Sequence, residues 1–289
     1  MPSSAHPTAV PSALSLAVAP PGGAGALPRL AGRALPLAAA GWMAVAVAGQ
    51  LLFAAYVAVF YGRSAMAGRF EDWNKVLPEG WMPGDTLGNG VLALHLLFAV
   101  LVIVGGAVQM LPAVRRLAPA VHRWNGRLYL VSALVLGVGG LFLILTRKPA
   151  SNLAPHLAVS LNAVLILVFA AIAWRQAMAR RIDRHRRWAL RLWLAVAGVW
   201  FFRIGLMAWI VVNQGPVGFD PATFRGPFLT FLAFAQYLLP LAVLEAYFHV
   251  RDHAGPQGRL AMAAGLAGLT LLTALGIGAA AMIMWLPRM

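Results

Sequence analysis

The stretch that decides the fold runs from residue 89 to residue 191. It contains two related basic strings: His-Arg-Trp-Asn-Gly-Arg-Leu-Tyr at residues 122–129 and His-Arg-Arg-Trp-Ala-Leu-Arg at residues 185–191. Each string joins two apolar runs, and the tryptophans of the two strings are 64 residues apart. The repetition predicts a transmembrane helical hairpin that occurs twice in the chain. The two copies would form a four-helix core built from two parallel hairpin repeats.

The composition is that of a membrane protein. Of 289 residues, 61% are hydrophobic and 11% are charged, and the mean hydropathy is +0.77. A soluble domain of this size cannot bury so much apolar surface. No alternation of apolar and polar residues is seen, which disfavours a β-barrel. We therefore predict an all-α, polytopic bundle of seven transmembrane helices, each built on a run of roughly 20 apolar residues. The predicted spans are 37–61, 89–112, 124–146, 152–174, 188–212, 227–249 and 260–286.

Charge and composition outside the spans predict the domain organisation and the location. Residues 1–36 are rich in Ala, Pro, Ser and Gly, and they are predicted to be a disordered tail before a transmembrane domain at 37–289. The Lys/Arg bias between alternate loops, 15 against 7, predicts a cytoplasmic N-terminus and an outside C-terminus. The excess of arginine over lysine, 21 to 2, favours a bacterial inner membrane. The basic residues behind the net charge of +15 are expected to contact lipid headgroups and not nucleic acid.

Four histidines mark the ends of the repeated hairpins. In this topology His95 and His156 lie near the outer surface, and His122 and His185 lie at the inner ends of their helices. Parallel repeats are related by an axis along the membrane normal, which would bring equivalent helices face to face. Two imidazoles opposed across a bundle are what bis-histidine ligation of a haem iron requires.

One arginine and one acid within the spans are also informative. Arg203 lies 18 residues after His185, on the same face of a straight helix and about 27 Å further out. Such an arginine needs an anionic partner, for which a haem propionate, another bound anion or an acid of loop 62–88 would serve. Glu245 lies at the level of Arg191, and the two are expected to form an ion pair.

Two resemblances add to this reading. The strings HRWNGRLY and HRRWALR, with His95, Gly105-Gly106 and Gln109 before them, resemble a family of bacterial membrane proteins, domain of unknown function 2306, over about residues 40–250. This resemblance implies a membrane location and names no reaction. The histidine layout is similar to that of the two-haem membrane cytochromes of the b-561 type. That likeness implies one haem between His95 and His156 and another between His122 and His185.

The leading functional hypothesis is an integral membrane b-type cytochrome with haem b as its cofactor. His95, His156, His122 and His185 would bind the haem iron, Arg203 would bind a propionate, and the electron donor and acceptor are unknown. This would make the chain a membrane oxidoreductase without catalytic side chains of its own. Two alternatives stay open. One is a non-enzymatic transporter or anion-binding protein with an outward-facing cavity lined by His95, His156 and Arg203. The other is a structural or sensory subunit whose histidines only bridge helices.

Overall fold

The fold is a bundle of nine α-helices, given by a computed structural model that describes residues 26–77, 79–147 and 153–289. Short 3₁₀ and π turns follow α1 and α9, and the described residues contain no β-sheet. The helices are α1 (Ala26–Met66), α2 (Thr86–Met110), α3 (Pro112–Leu117), α4 (Pro119–Arg147), α5 (Leu153–Met178), α6 (Ile182–Val196), α7 (Gly198–Val212), α8 (Pro227–His253) and α9 (Pro256–Ala280).

The helices confirm a polytopic all-α membrane bundle. Six are long and apolar enough to cross a bilayer, and the count is seven if the bent pair of α6 and α7 is taken as one span. Neighbours along the chain pack against each other from α2 to α6, and α1 lies along α9. The bundle has an arginine-rich end, which carries α3 and the α5–α6 and α8–α9 connections. Its other end, the loop end, carries the segments between α1 and α2 and between α7 and α8.

The predicted boundary of the N-terminal tail at residue 36 is wrong, because α1 already begins at Ala26. The added turns are held by packing: Leu35 is buried in a cluster with Ala263 and Leu266 of α9. Tertiary contact here outweighs Pro36, which lies inside the helix. Residues 1–25 of the predicted tail lie outside the described residues.

The fifth predicted span is broken in two. At Ala197 the axes of α6 and α7 diverge by 53°. The amide of Asn162 on α5 donates from Nδ2 to the carbonyl oxygen of Ala195 at 3.2 Å, which satisfies one carbonyl at the end of α6. The bend invalidates the argument that Arg203 and His185 share one face of a straight helix.

The core is rich in aromatic side chains. Tyr56, Trp200 and Trp285 are buried where α1, α7 and the turn after α9 meet. Close approach of α7 and α9 depends on Gly276, since a Cβ there would lie 2.7 Å from the carbonyl oxygen of Ile204. This packing fixes the position of α7, which carries Arg203.

Candidate functional site

A cavity of about 360 Å³ opens between α1, α2, α4, α5 and the α6–α7 pair. We call it the polar cavity, because buried polar groups project into walls that are otherwise apolar. The segment before α2 closes its loop end with Leu77, Glu79 and Gly80. The polar side chains that line it are Gln50, Tyr61, Glu79, His95, Tyr129, Arg147, Asn162, Trp193, Trp200 and Arg203.

Several of these residues have buried polar atoms without a hydrogen-bond partner among the described residues. They include the donors Gln50 Nε2, Trp200 Nε1 and Arg203 Nε, together with His95 Nδ1 and the Tyr129 hydroxyl. Gln50 and Trp200 are only 4% and 2% exposed. A buried polar group without a partner costs about 1–3 kcal/mol, so such groups are rare unless a ligand or water satisfies them. Their convergence on one space is typical of a binding site.

Arg203 brings a full positive charge to this cavity. Its guanidinium carbon lies 5.4 Å from the centre of the Phe53 ring, a cation–π contact. No acidic side chain of the described residues pairs with it. The first turn of α7 also lines the cavity through Val199 and Trp200, so the partial positive charge at the start of that helix lies beside it. Both features favour a negatively charged occupant.

His95 occupies the α2 wall of the cavity. Its ring lies against two glycines of α4: a Cβ on Gly139 would be 3.5 Å from His95 Nδ1, and a Cβ on Gly140 would be 3.6 Å from His95 Cε1. Both are ordinary van der Waals distances, so the imidazole packs beside α4 at these two glycines. His95 therefore lines the cavity with a ring nitrogen that has no partner among the described residues, and its predicted role in an anion site stays a prediction.

The loop end of the cavity is fastened by Arg147, which sequence reasoning missed. Its side chain is 5% exposed and binds Asp85 through Nε at 3.0 Å and Nη2 at 2.6 Å. It also donates to Asn89 Oδ1 at 2.7 Å and to the Gly80 carbonyl at 2.6 Å. Asp85 accepts from the Gly88 backbone N–H as the N-cap of α2, and this bond together with Arg147 holds the pKa of Asp85 below its ordinary value. One arginine thus joins α4, α2 and the closing segment.

The other three histidines lie elsewhere. His156 is half-buried in the first turn of α5, about one turn before the cavity residue Val159 and two turns before Ala163. At the arginine-rich end, the Nδ1 atom of His185 bonds the carbonyl oxygen of Ala173 at 2.9 Å. The carbonyl oxygen of His122 accepts a hydrogen bond from Gln109 Nε2 at 3.0 Å, which ties α2 to α4.

The positions of the histidines can be compared with the geometry that a bis-histidine haem requires. Bis-histidine ligation needs two imidazoles that face each other across one space. Among the described residues, the polar cavity is lined by His95 without a second histidine. The residues that line it therefore do not fit a bis-histidine haem, and the assignment of all four histidines as iron ligands stays a prediction.

The predicted ion pair between Arg191 and Glu245 is confirmed. The two side chains meet through two bonds, Nε to Oε1 at 2.6 Å and Nη2 to Oε2 at 2.7 Å. Arg191 also stacks on Trp188, 4.6 Å from its ring centre. The pair joins α6 to α8 near the arginine-rich end and lies outside the polar cavity.

An all-helical bundle with several helices of membrane-spanning length defines a polytopic membrane protein. Residues 92–239 match the family model described as Predicted membrane protein (DUF2306), and the chain belongs to that family. No curated protein and no solved structure matches it.

Proposed function

We propose that this membrane protein binds a small organic anion in the polar cavity. The observation that carries the proposal is Arg203, a partly buried cation without an acidic partner among the described residues, which lines the same cavity as the unpaired donors of Gln50 and Trp200. A charge in a membrane interior is costly unless an opposite charge accompanies it. A bound carboxylate would supply that charge and accept hydrogen bonds from Arg203 and its neighbours.

The size and walls of the cavity favour an organic ligand over an inorganic ion. Its volume of about 360 Å³ is within the range of small-molecule sites, about 300–1,000 Å³. Leu92, Val102, Leu136 and Ile166 supply apolar walls. An anion with a hydrocarbon or aromatic body would bury that body there while its charged group meets Arg203.

The break between α6 and α7 adds a second argument. Discontinuous helices whose N-termini face a site near the bilayer centre are a recurring feature of membrane transporters for anionic substrates. Here α7 begins at Gly198 beside the cavity, and Arg203 follows it on the cavity wall. Binding followed by transport is the form of the proposal that this geometry favours.

The test uses the full-length protein in nanodiscs, with benzoate and hexanoate as probes of aromatic and aliphatic monocarboxylates. We expect either probe to raise the melting temperature, and Arg203→Gln to weaken binding about tenfold or more, since a charge-assisted hydrogen bond contributes about 1.5–3 kcal/mol. Arg225→Gln, in the exposed α7–α8 segment, is the matched control and should bind like the unaltered chain. Equal binding by the Arg203 and Arg225 variants would contradict the proposal. Uptake of radiolabelled benzoate into proteoliposomes then measures transport.

Electron transfer through haem b stays the sequence-based hypothesis for the same bundle, and one measurement decides it. Protein purified from haem-replete cells is assayed for haem per chain. Stoichiometric haem that is lost in both His95→Ala and His156→Ala would support the cytochrome hypothesis. Haem-free protein that binds benzoate through Arg203 would support the anion site.

A further inference from the structure

A second cavity, of about 640 Å³, lies on the other side of α7, between α1, α6, α7, α8 and α9. We call it the apolar groove. Two of its polar lining residues, Gln236 and Thr273, already have partners. Gln236 Nε2 donates to the Ala233 carbonyl at 2.7 Å, and Thr273 Oγ1 donates to the Leu269 carbonyl and accepts from Trp42 Nε1. Unlike the polar cavity, the groove offers its occupant almost only hydrocarbon.

Each of three helices that line the groove carries an arginine further toward the arginine-rich end. On α6, Arg187 precedes the lining residue Leu190 by about one turn. On α8, Arg251 follows the lining residue Tyr247 by four residues, and its guanidinium lies 5.9 Å from the Tyr247 ring. The groove therefore ends in positive charge on these two helices.

The third arginine is Arg259 on α9, seven residues before the lining residue Leu266 and so on the same face of the helix. Its Nη2 donates to the Arg251 carbonyl at 3.2 Å, which places the two residues side by side. Its Nε is buried without a partner. Arg259 is thus a cation with donor capacity that the described residues leave unused.

The acids near these arginines do not balance them. Asp252 pairs with both Arg187 and Arg251, and Glu245 pairs with Arg191. Arg259 has no acidic partner among the described residues. A group of three guanidiniums with one shared carboxylate, at the end of a hydrocarbon groove, is complementary to a phosphate that carries acyl chains.

We propose that the apolar groove binds an anionic phospholipid of the surrounding bilayer. Its acyl chains lie along α7, α8 and α9, and its phosphate is held by Arg259 beside Arg251. This site is separate from the polar cavity and does not depend on the function proposed for that cavity. Direct contact with Arg259 distinguishes it from general attraction of headgroups to a basic surface, which every arginine at this end would share.

The test is native mass spectrometry of the full-length, delipidated protein titrated with phosphatidylglycerol or phosphatidylcholine. We expect the unaltered chain to prefer phosphatidylglycerol, and Arg259→Gln to reduce that preference about fivefold or more. Arg184→Gln removes an exposed arginine at the same end that does not line the groove, and it should leave the preference unchanged. Ala235→Trp, which fills the groove, should weaken both lipids.

Three outcomes would overturn the proposal. They are equal binding of the two lipids by the unaltered chain, equal effects of the Arg259 and Arg184 variants, and binding of glycerol phosphate as tightly as the intact lipid. The Arg259 variant leaves the walls of the groove intact. It therefore tests the proposed lipid site even if Ala235→Trp fails to fold.

Discussion

Arg147 in the last turn of α4 and Asp85 at the N-cap of α2 form an ion pair with N–O distances of 2.6 and 3.0 Å, although 62 residues separate them. The pair joins adjacent ends of two antiparallel helices and holds the segment that closes the polar cavity. Arg147 is almost fully enclosed, whereas Asp85 is partly open to solvent. Their contributions to stability should therefore differ.

Replacement of Arg147 by Met should be strongly destabilising. The variant removes the Arg147 donor from the Asp85 carboxylate, the Asn89 side-chain oxygen and the Gly80 carbonyl. The first two oxygen groups keep only their bonds from the backbone N–H groups of Gly88 and Met82. We expect a loss of about 2–4 kcal/mol, measured by thermal or denaturant unfolding in detergent. Arg69→Gln is the control: its ion pair with Asp72 is exposed, and its loss should change the stability little. Similar losses in the two variants would show that the Arg147 network is not structural.

The same pair predicts how stability depends on pH. The Gly88 N–H and then Arg147 hold the pKa of Asp85 below its ordinary value. A carboxyl whose pKa is depressed in the folded state stabilises it above the unfolded pKa, about 3.9, and loses that contribution as the pH falls through the folded pKa. The melting temperature should therefore fall below about pH 4, and Asp85→Asn should fall less steeply over the same window. Parallel curves for the two proteins would contradict the assignment.

Two glycines of α9 offer a matched test of helix packing. A Cβ at Gly276 would lie 2.7 Å from the Ile204 carbonyl oxygen and 3.1 Å from its Cβ, whereas a Cβ at Gly278 meets nothing within 4 Å. Gly276→Ala must push α7 from α9 and should cost about 1–3 kcal/mol. Gly278→Ala should be neutral or stabilising by up to about 1 kcal/mol, because alanine is the better helix former. Unfolding of the two variants under identical conditions gives the comparison.

Asn162 should stabilise the break between α6 and α7. In Asn162→Leu the Ala195 carbonyl loses its donor, and we expect a loss of about 1–2 kcal/mol together with faster hydrogen exchange around Ala197. Leu161→Ala, at a neighbouring and exposed position, is the control and should leave exchange at the break unchanged. No change in exchange for Asn162→Leu would mean that the bend is held by packing alone.

The sequence predicted the helices better than their internal geometry. Span number, all-α class and the Arg191–Glu245 pair follow from hydropathy and from depth along a helix, both of which are local quantities. The break at Ala197 does not, since an Ala-Gly step inside an apolar run has no proline to mark it, and the partner that accompanies the break, Asn162, is 33 residues from Ala195.

The candidate site was predicted in part for the same reason. Arg203 and His95 were singled out as polar residues in apolar runs, and both line the polar cavity. The repeat phase that paired His95 with His156 assumed equal, straight hairpins, whereas α3 and the bend of α6–α7 make the two copies differ. Arg147 was counted only as a loop charge, because its contact with Asp85 depends on how helix ends meet in space.

The helix α7 separates the polar cavity from the apolar groove. Val199, Trp200 and Arg203 face one, and Phe201, Ile204 and Ala208 face the other. A ligand that displaces α7 from one side changes the volume of the cavity on the other side. By thermodynamic linkage the effect is mutual. A bound lipid would change the affinity for the anion, and a bound anion would change the affinity for the lipid by the same factor.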